Sequence, residues 1–269
     1  MVLAIIGAAL VGATLGLLGS GGSILTVPIL VYLVGHTKKA SIAESLAIVG
    51  AIALVGAARQ WRAGKVDARM WLWVGLPGIP GAYLGAVLSK QVTGALQLGV
   101  LGVLMLAAAV LMVRKKPKPK EGERVERHGA TLGLIGLGVG LITGFVGVGG
   151  GFLIVPALVL LAGAEMPVAV GTSLAIITLN AASGFLKQLD VLGGVGEDRV
   201  DWGTIGLFAA VGIAGSVVGQ SVGKRIDQAT LKKVFAVFLV VMAGYILWRE
   251  GPRALAGRGA EVEAPAPAG

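Results

Sequence analysis

Two short stretches carry the residues best suited to chemistry. Gly19-Ser20-Gly21-Gly22-Ser23 and Gly147-Val148-Gly149-Gly150-Gly151 are almost entirely glycine and serine, and both lie inside apolar sequence. Glycine reaches backbone conformations closed to other residues and lets a ligand approach the main chain. A helix leaving such a break presents unpaired N–H groups and the positive end of its dipole. Inside a bilayer those donors must be satisfied by protein, water or a bound species. A small anion suits them. Gly19, Ser20, Gly21, Gly22, Ser23, Gly147, Gly149, Gly150 and Gly151 are therefore candidate substrate ligands. The competing role for glycine is close helix packing, which we assign to Gly12, Gly16, Gly140 and Gly144.

Other polar residues sit in apolar surroundings. Ser45, Thr172 and Ser173 fall near the start of the next predicted helix of each half. They offer hydroxyls to the same anion, or else cap a helix or bond between helices. Asn180, with Thr178, lies mid-span, where an unpartnered polar group is costly. Glu44 is the acid set deepest in the apolar part of the first half. It is a candidate carrier of a coupling proton, or else a first-turn acid favoured by the helix dipole. Arg59 and Lys187 are candidates to attract an oxyanion, or else anchors that snorkel to the surface. His36 and His128 read as solvated loop residues without metal-ligand spacing. No metal site, catalytic triad, paired carboxylates or P-loop is present, since GSGGS lacks the Lys-Ser/Thr a P-loop requires. No cofactor and no enzymatic activity are expected.

These residues are held by an internal duplication. Gly12, Gly16, Gly19, Gly21, Gly22 and Pro28 return as Gly140, Gly144, Gly147, Gly149, Gly150 and Pro156, at an offset of 128. Ser45-Leu46-Ala47-Ile48 returns as Ser173-Leu174-Ala175-Ile176, and Gly56, Arg59 and Gln60 as Gly184, Lys187 and Gln188. The second copy then gains six residues, so Asp67, Gly81 and Gly85 match Asp201, Gly215 and Gly219 at an offset of 134. A glycine break repeated in paired hydrophobic segments points to a transporter's binding site.

The 269 residues are 55% hydrophobic and 14% charged, with 45 glycines and no cysteine. Apolar runs long enough for lipid follow one another, and they do not alternate as barrel strands would. The fold expected is an all-α polytopic membrane protein built from two inverted-topology repeats. The first repeat covers 1–113, a basic linker 114–128, the second repeat 129–248 and a disordered tail 249–269. Each repeat holds a Gly-broken element (2–34; 130–162), either a re-entrant hairpin or two short spans. Three transmembrane helices follow it, at 42–60, 71–89 and 96–113, then 170–187, 203–222 and 231–248. Pro77 and Pro80 predict a kink. The run from Val2 to Leu18 lacks a basic leader and recurs later, so it reads as mature structure.

Charge sets the orientation. The net charge of +9 lies in short loops, as in an inner-membrane protein, and does not signal nucleic acid. Arg59, Arg62, Lys65 and Arg69 mark one loop as cytoplasmic, and seven Lys and Arg mark the linker. In the second half the matching loop is acid-rich, and the basic one (Lys224, Arg225, Lys232, Lys233) comes one helix later. That shift by one crossing is what opposite insertion of the two copies predicts, with both termini outside.

The doubled G-x-x-x-G-x-x-G-x-G-G-(G/S)-x-x-x-x-P pattern, with Ala169–Ile177 (AVGTSLAII) and the later Gly81/Gly85 and Gly215/Gly219 pairs, resembles the TauE/SafE sulfite-exporter family. The resemblance spans everything but linker and tail. It implies a permease that moves sulfite, sulfonates or related small anions across the cytoplasmic membrane, driven by ion gradients. Glu44 stands where the family's G-T-S pattern has threonine. The expected function is a secondary transporter for a small anion, working by alternating access around two breaks that meet near the bilayer midplane. A proton or cation is the coupling partner and the oligomeric state is open. A passive anion channel is the alternative.

Overall fold

The computed structural model describes residues 2–19, 23–89, 94–113, 129–146, 151–192 and 200–255. The predicted ligands Ser20, Gly21, Gly22, Gly147, Gly149 and Gly150, the linker 114–128 and His128 lie outside them. Among the described residues every regular element is helical. The first half holds α1 (Val2–Leu18), α2 (Ser23–Ile29), which runs on as a π-helical turn (Leu30–Val34), α3 (Lys38–Arg62), α4 (Ala68–Ser89) and α5 (Gly94–Val113). The second holds α6 (Gly129–Val146), α7 (Gly151–Leu160), α8 (Met166–Leu192), α9 (Trp202–Gly223) and α10 (Gln228–Leu255). Stretches within α3, α8, α9 and α10 are long and apolar enough to cross a membrane, and α1, α5 and α6 contain shorter apolar helices. Large side chains such as Leu3, Tyr83, Leu134 and Trp248 point outward, as lipid-facing positions do.

The helices pair across the duplication. α1 packs on α9, α4 on α6, α3 on α8 and α5 on α10. Glycine explains the first two pairs, because without a side chain the backbones touch. Gly12 lies against the main chain of Gly212 and Gly16 against that of Ser216, while Gly215 and Gly219 face Ala9 and Ala13. In the other pair Gly140 and Gly144 meet Gly78 and Ala82, and Gly81 and Gly85 meet Leu137 and Leu141. Residue numbers rise together along both pairs, so each runs parallel. The predicted packing role of Gly12, Gly16, Gly140 and Gly144 is thus what the contacts display. α3 and α8 instead run antiparallel: a Cβ on Gly56 would lie 3.1 Å from Leu174, and one on Gly184 would lie 3.2 Å from Leu46. Those two contacts exchange under the offset of 128.

Several expectations shift. α3 and α8 start four residues before the predicted 42 and 170. Thr37 caps α3, its hydroxyl accepting from the Ala40 N–H at 3.3 Å. Ser45 and Ser173 therefore sit in the second turn and cap nothing. α4 is helical through Pro77 and Pro80, with Gly78 between them resting on α6. α10 continues to Leu255, into the stretch read as tail; Arg249 and Glu250 are good helix formers, and the end of an apolar run does not by itself end a helix.

Two ends of the bundle can be told apart. At one end a Cβ on Gly223 would lie 3.3 Å from Leu17, Gly171 touches the Lys65 carbonyl, and Gln228 bonds Glu165 at 3.2 Å. The loops with Arg62, Lys65, Lys224 and Arg225 share this end. At the other lie the starts of α3 and α9.

Candidate functional site

The first break is defined by Gly19. Its N–H donates to the Leu15 carbonyl at 2.8 Å, ending α1. Its φ of +77° is left-handed, a conformation that costs a side-chain-bearing residue about 1–2 kcal/mol. Its carbonyl accepts from the Ser173 hydroxyl of the other half at 2.9 Å. The same hydroxyl lies 2.9 Å from the Val170 carbonyl, so one proton serves two acceptors. A Cβ at Gly19 would sit 2.6 Å from Ser173 Oγ and 2.8 Å from Val170 Cα. Only glycine fits.

Neighbouring Thr172 is fully buried, and its hydroxyl accepts from the Asp67 N–H at 3.0 Å. Asp67 in turn accepts from the Met70 N–H at 2.9 Å, starting α4. Glu44 makes the reciprocal contact: its Oε1 accepts from the Asp201 N–H at 2.9 Å. Thr172 matches Glu44 and Asp67 matches Asp201, so each half grips the loop of the other in the same way. Glu44 is fully buried and its Oε2 lies 2.7 Å from His36 Nδ1. His36, predicted to be solvated, is instead only 22% exposed and partnered. No local pattern announces the pair, because eight residues and a helix start separate the two side chains. Asp201 caps α9, accepting from the Gly203 N–H at 2.8 Å and the Thr204 hydroxyl at 2.7 Å. Thr204 above all holds the Asp201 carboxyl below its usual range.

The predicted ligands therefore divide. Gly19, Thr172 and Ser173 come together at the end with the basic loops, and Arg59 lies near the end of α3 on the same side. Glu44 and Ser45 lie about 18 Å away, at the level of Gly184, counting twelve helical residues at 1.5 Å each. Ser45 donates to the Ile42 carbonyl at 2.8 Å. Ser23 and Gly151 are the first residues of α2 and α7. The last turn of α6, which leads to the second break, lies beside Gly85 near the far end of α4. The helices that leave the two breaks, α2 and α7, are in contact, while Gly19 and the last turn of α6 lie toward opposite ends. Lys187 lies in α8, its side chain outside the described residues.

Two residues that the sequence reading passed over join the first group. Ser216 and Gln220 of α9 are buried, with Gln220 Nε2 donating to Ser216 Oγ at 3.4 Å. A Cβ on Gly56 would lie 2.8 Å from Gln220 Nε2 and 3.5 Å from Ser216 Oγ. Arg59 is one turn on from Gly56, on the same face of α3. Its Nη1 is buried and has no hydrogen-bond partner among the described residues. Guanidinium donates and never accepts, so the partner it lacks is an acceptor. The duplication hid Ser216 and Gln220, since their counterparts are Ala82 and Ala86.

Asn180 lies between the two ends. Its Oδ1 is buried without a partner among the described residues, beside a cavity of about 10 Å³ that Thr143 and Ile176 also line. That is room for about one water. Thr178 bonds its own helix at the Leu174 carbonyl, 2.9 Å away. It faces a larger, apolar groove of about 240 Å³ walled by Trp61, Trp71 and Leu54, which offers an anion little.

Comparison with known proteins agrees with this architecture. The family model described as sulfite exporter TauE/SafE matches residues 4–246. A probable membrane transporter protein of Xylella fastidiosa (strain 9a5c) is 34% identical over 249 residues, covering 89% of this chain and 92% of its own. One from Bacillus subtilis (strain 168) is 26% identical over 270 residues, covering 90% and 95%. One from Haemophilus influenzae is 28% identical over 253 residues, covering 87% and 93%.

Proposed function

The chain belongs to the sulfite exporter TauE/SafE family of membrane transporters, and from that premise we propose that it is a secondary transporter for a small oxyanion such as sulfite or an organosulfonate. The anion binds beside Gly19, between Ser173, Gln220, Ser216 and Arg59, together with the donors predicted at Ser20, Gly21 and Gly22. One observation carries this reading: the buried Nη1 of Arg59 lacks an acceptor among the described residues. A buried donor left unpaired costs about 1–3 kcal/mol, and an incoming oxyanion removes that cost.

The repeats are inverted in this reading. Antiparallel packing of the matched helices α3 and α8, with contacts that exchange between halves, supports a two-fold axis in the membrane plane. Clustering of Arg62, Lys65, Lys224 and Arg225 at one end supports that end as cytoplasmic. The anion site then opens toward the cytoplasm, and alternating access moves the paired units α1–α9 and α4–α6 about the central α3–α8 pair. An ion gradient drives the cycle in the cell's inner membrane.

Counterflow in proteoliposomes tests it. Sulfite or a sulfonate accumulates uphill under an imposed proton gradient, whereas purely downhill flux would mean a channel. Arg59→Gln raises the half-saturating anion concentration roughly tenfold or more, as expected for losing a charged hydrogen bond. Unchanged half-saturation in a folded variant would remove Arg59 from the site.

A further inference from the structure

The two halves grip each other by matched contacts of unmatched chemistry. At the basic end a threonine hydroxyl, Thr172, accepts from the Asp67 N–H at 3.0 Å. At the other end a carboxylate, Glu44, accepts from the Asp201 N–H at 2.9 Å and faces His36 Nδ1 at 2.7 Å. The counterpart of His36 is Ala164, so only at this end is the accepting side chain of the contact ionisable and paired with a histidine. We propose that Glu44 is the proton-binding element of a latch that closes the end of the bundle away from the basic loops, and that Thr172–Asp67 is its proton-blind counterpart.

The geometry supplies the proton's route. The side chain of Asp201 is 51% exposed, that of His36 is 22% exposed and that of Glu44 is fully buried. His36 Nε2 lies 4.0 Å from Asp201 Oδ2 and Nδ1 lies 2.7 Å from Glu44 Oε2. A proton taken at Nε2 from the Asp201 side lets Nδ1 release its own proton to Glu44 Oε2, leaving a neutral imidazole of the other tautomer. Glu44 then donates to Nδ1 where it had accepted. Its bond from the Asp201 N–H loses its charge, and charge-assisted bonds are roughly twice as strong as neutral ones. Three segments are held by this carboxyl: the turn after α2, through His36; α3 itself; and the start of α9, through Asp201. Weakening it frees α9, and with it α1, from α3. Among the described residues His36 and Asp201 are the titratable groups recorded around Glu44. Lys38 and Lys39 of α3, and Lys187 and Asp190 of α8, belong to the same end, with side chains outside the described residues.

The latch extends the transport reading, since its release is a gating step, but its test needs no substrate. The chain has no cysteine, so spin labels can be placed freely. One pair, Ile42→Cys with Leu207→Cys, spans the Glu44 latch; another, Ala68→Cys with Leu161→Cys, reports on the Thr172 end. On mild acidification the first pair lengthens, with an open-to-closed ratio that changes roughly tenfold, the scale of one charge-assisted bond. The second pair stays fixed. Glu44→Gln, which cannot ionise, holds the first pair in the acid distribution at every pH. A first pair indifferent to pH in the otherwise native protein, or a response that survives Glu44→Gln, overturns the proposal. A responsive latch in a protein that moves no anion would refute the transport reading and leave the latch standing.

Discussion

Replacing Gly19 by alanine separates the two things that glycine does there. The first is conformational: at φ +77° an L-residue costs about 1–2 kcal/mol. The second is crowding. The new methyl would lie 2.6 Å from Ser173 Oγ, 2.8 Å from Val170 Cα and 2.9 Å from Val170 O, against the 3.5–4.0 Å at which carbon atoms pack comfortably. Two of those three atoms are main chain of α8, so no rotamer relieves the contact, and overpacking of this kind costs about 1–3 kcal/mol. Gly19→Ala should therefore destabilise by about 2–5 kcal/mol. Gly35 and Gly163 supply the control. Their φ values are +88° and +78°, yet a Cβ at either meets nothing within 4 Å, so alanine there should cost only the conformational part, about 1–2 kcal/mol. Unfolding in mixed micelles titrated with SDS measures all three, and anion counterflow in proteoliposomes reports function. Gly19→Ala should lose transport, while Gly163→Ala keeps it. Equal stability losses at the three sites, with transport intact in Gly19→Ala, would show that the break does not press on the other half, and the site built on it would fall.

Three further outcomes follow from the same contacts. Gly144→Leu, whose side chain would meet the Ala82 backbone, should cost about 3 kcal/mol or more on the same SDS titration; Gly138→Ala, with open space around it, should be stabilising by about 0.4–1 kcal/mol. Single cysteines at Ala63 and Arg225 should be labelled by a membrane-impermeant maleimide from one side of oriented vesicles, and cysteines at Thr37 and Trp202 from the other; any other pattern contradicts the arrangement of the ends. Thr230 holds the Asp227 carboxyl below its usual range, so its capping of α10 is present at neutral pH and lost as pH falls through that lowered value. Hydrogen exchange in the first turn of α10 should rise on acidification, and Asp227→Asn, still a capping residue, should abolish that pH dependence.

The architecture was legible because the physics that sets it is local and periodic. Long apolar runs declare helices, and the conserved spacing of Gly12–Gly16 and Gly81–Gly85 with their copies declared helix faces without side chains. What spacing could not say is which glycine face meets which. α1 finds its parallel partner in α9, and α6 in α4, crossings between halves that pair Gly12 with Gly212 and Gly140 with Gly78. The candidate site was half legible. Gly19 and Ser173 were both expected near an anion, and a hydrogen bond joins them. Ser45 and Glu44 were expected with them, because repeat-matched residues were assumed to converge. In a pair of antiparallel matched helices they must diverge instead: the start of α3 lies at the end of α8. Ser216 and Gln220 escaped for the opposite reason. Their counterparts are Ala82 and Ala86, so a reading led by the repeat discounted them, whereas His36 read as solvated because its partner Glu44 is eight residues away across a helix start.

That inequality has a mechanical meaning. Under the proposed alternating access, a duplicated scaffold whose halves grip each other alike would give two end states of nearly equal energy, since a ligand can shift an equilibrium only by its differential affinity for the two states. A perfectly symmetrical protein would, however, have no means to respond differently at its two faces. Several polar departures from symmetry lie where they would break that tie. Glu44 and His36 face Thr172 and Ala164, Ser216 and Gln220 face Ala82 and Ala86, and Asn180 stands opposite Ile52. Ile52 fills its half of the interface against Gly212, whereas Asn180 leaves a cavity the size of about one water beside a buried carbonyl oxygen. Exchanging those two residues is therefore informative. Asn180→Ile should close the cavity and remove an unpaired acceptor, whose burial costs about 1–3 kcal/mol, so the variant should be more stable. If the polar gap is a feature of the working cycle, the same variant should transport more slowly. Greater stability with undiminished flux would make Asn180 a bystander and confine the functional asymmetry to the two ends.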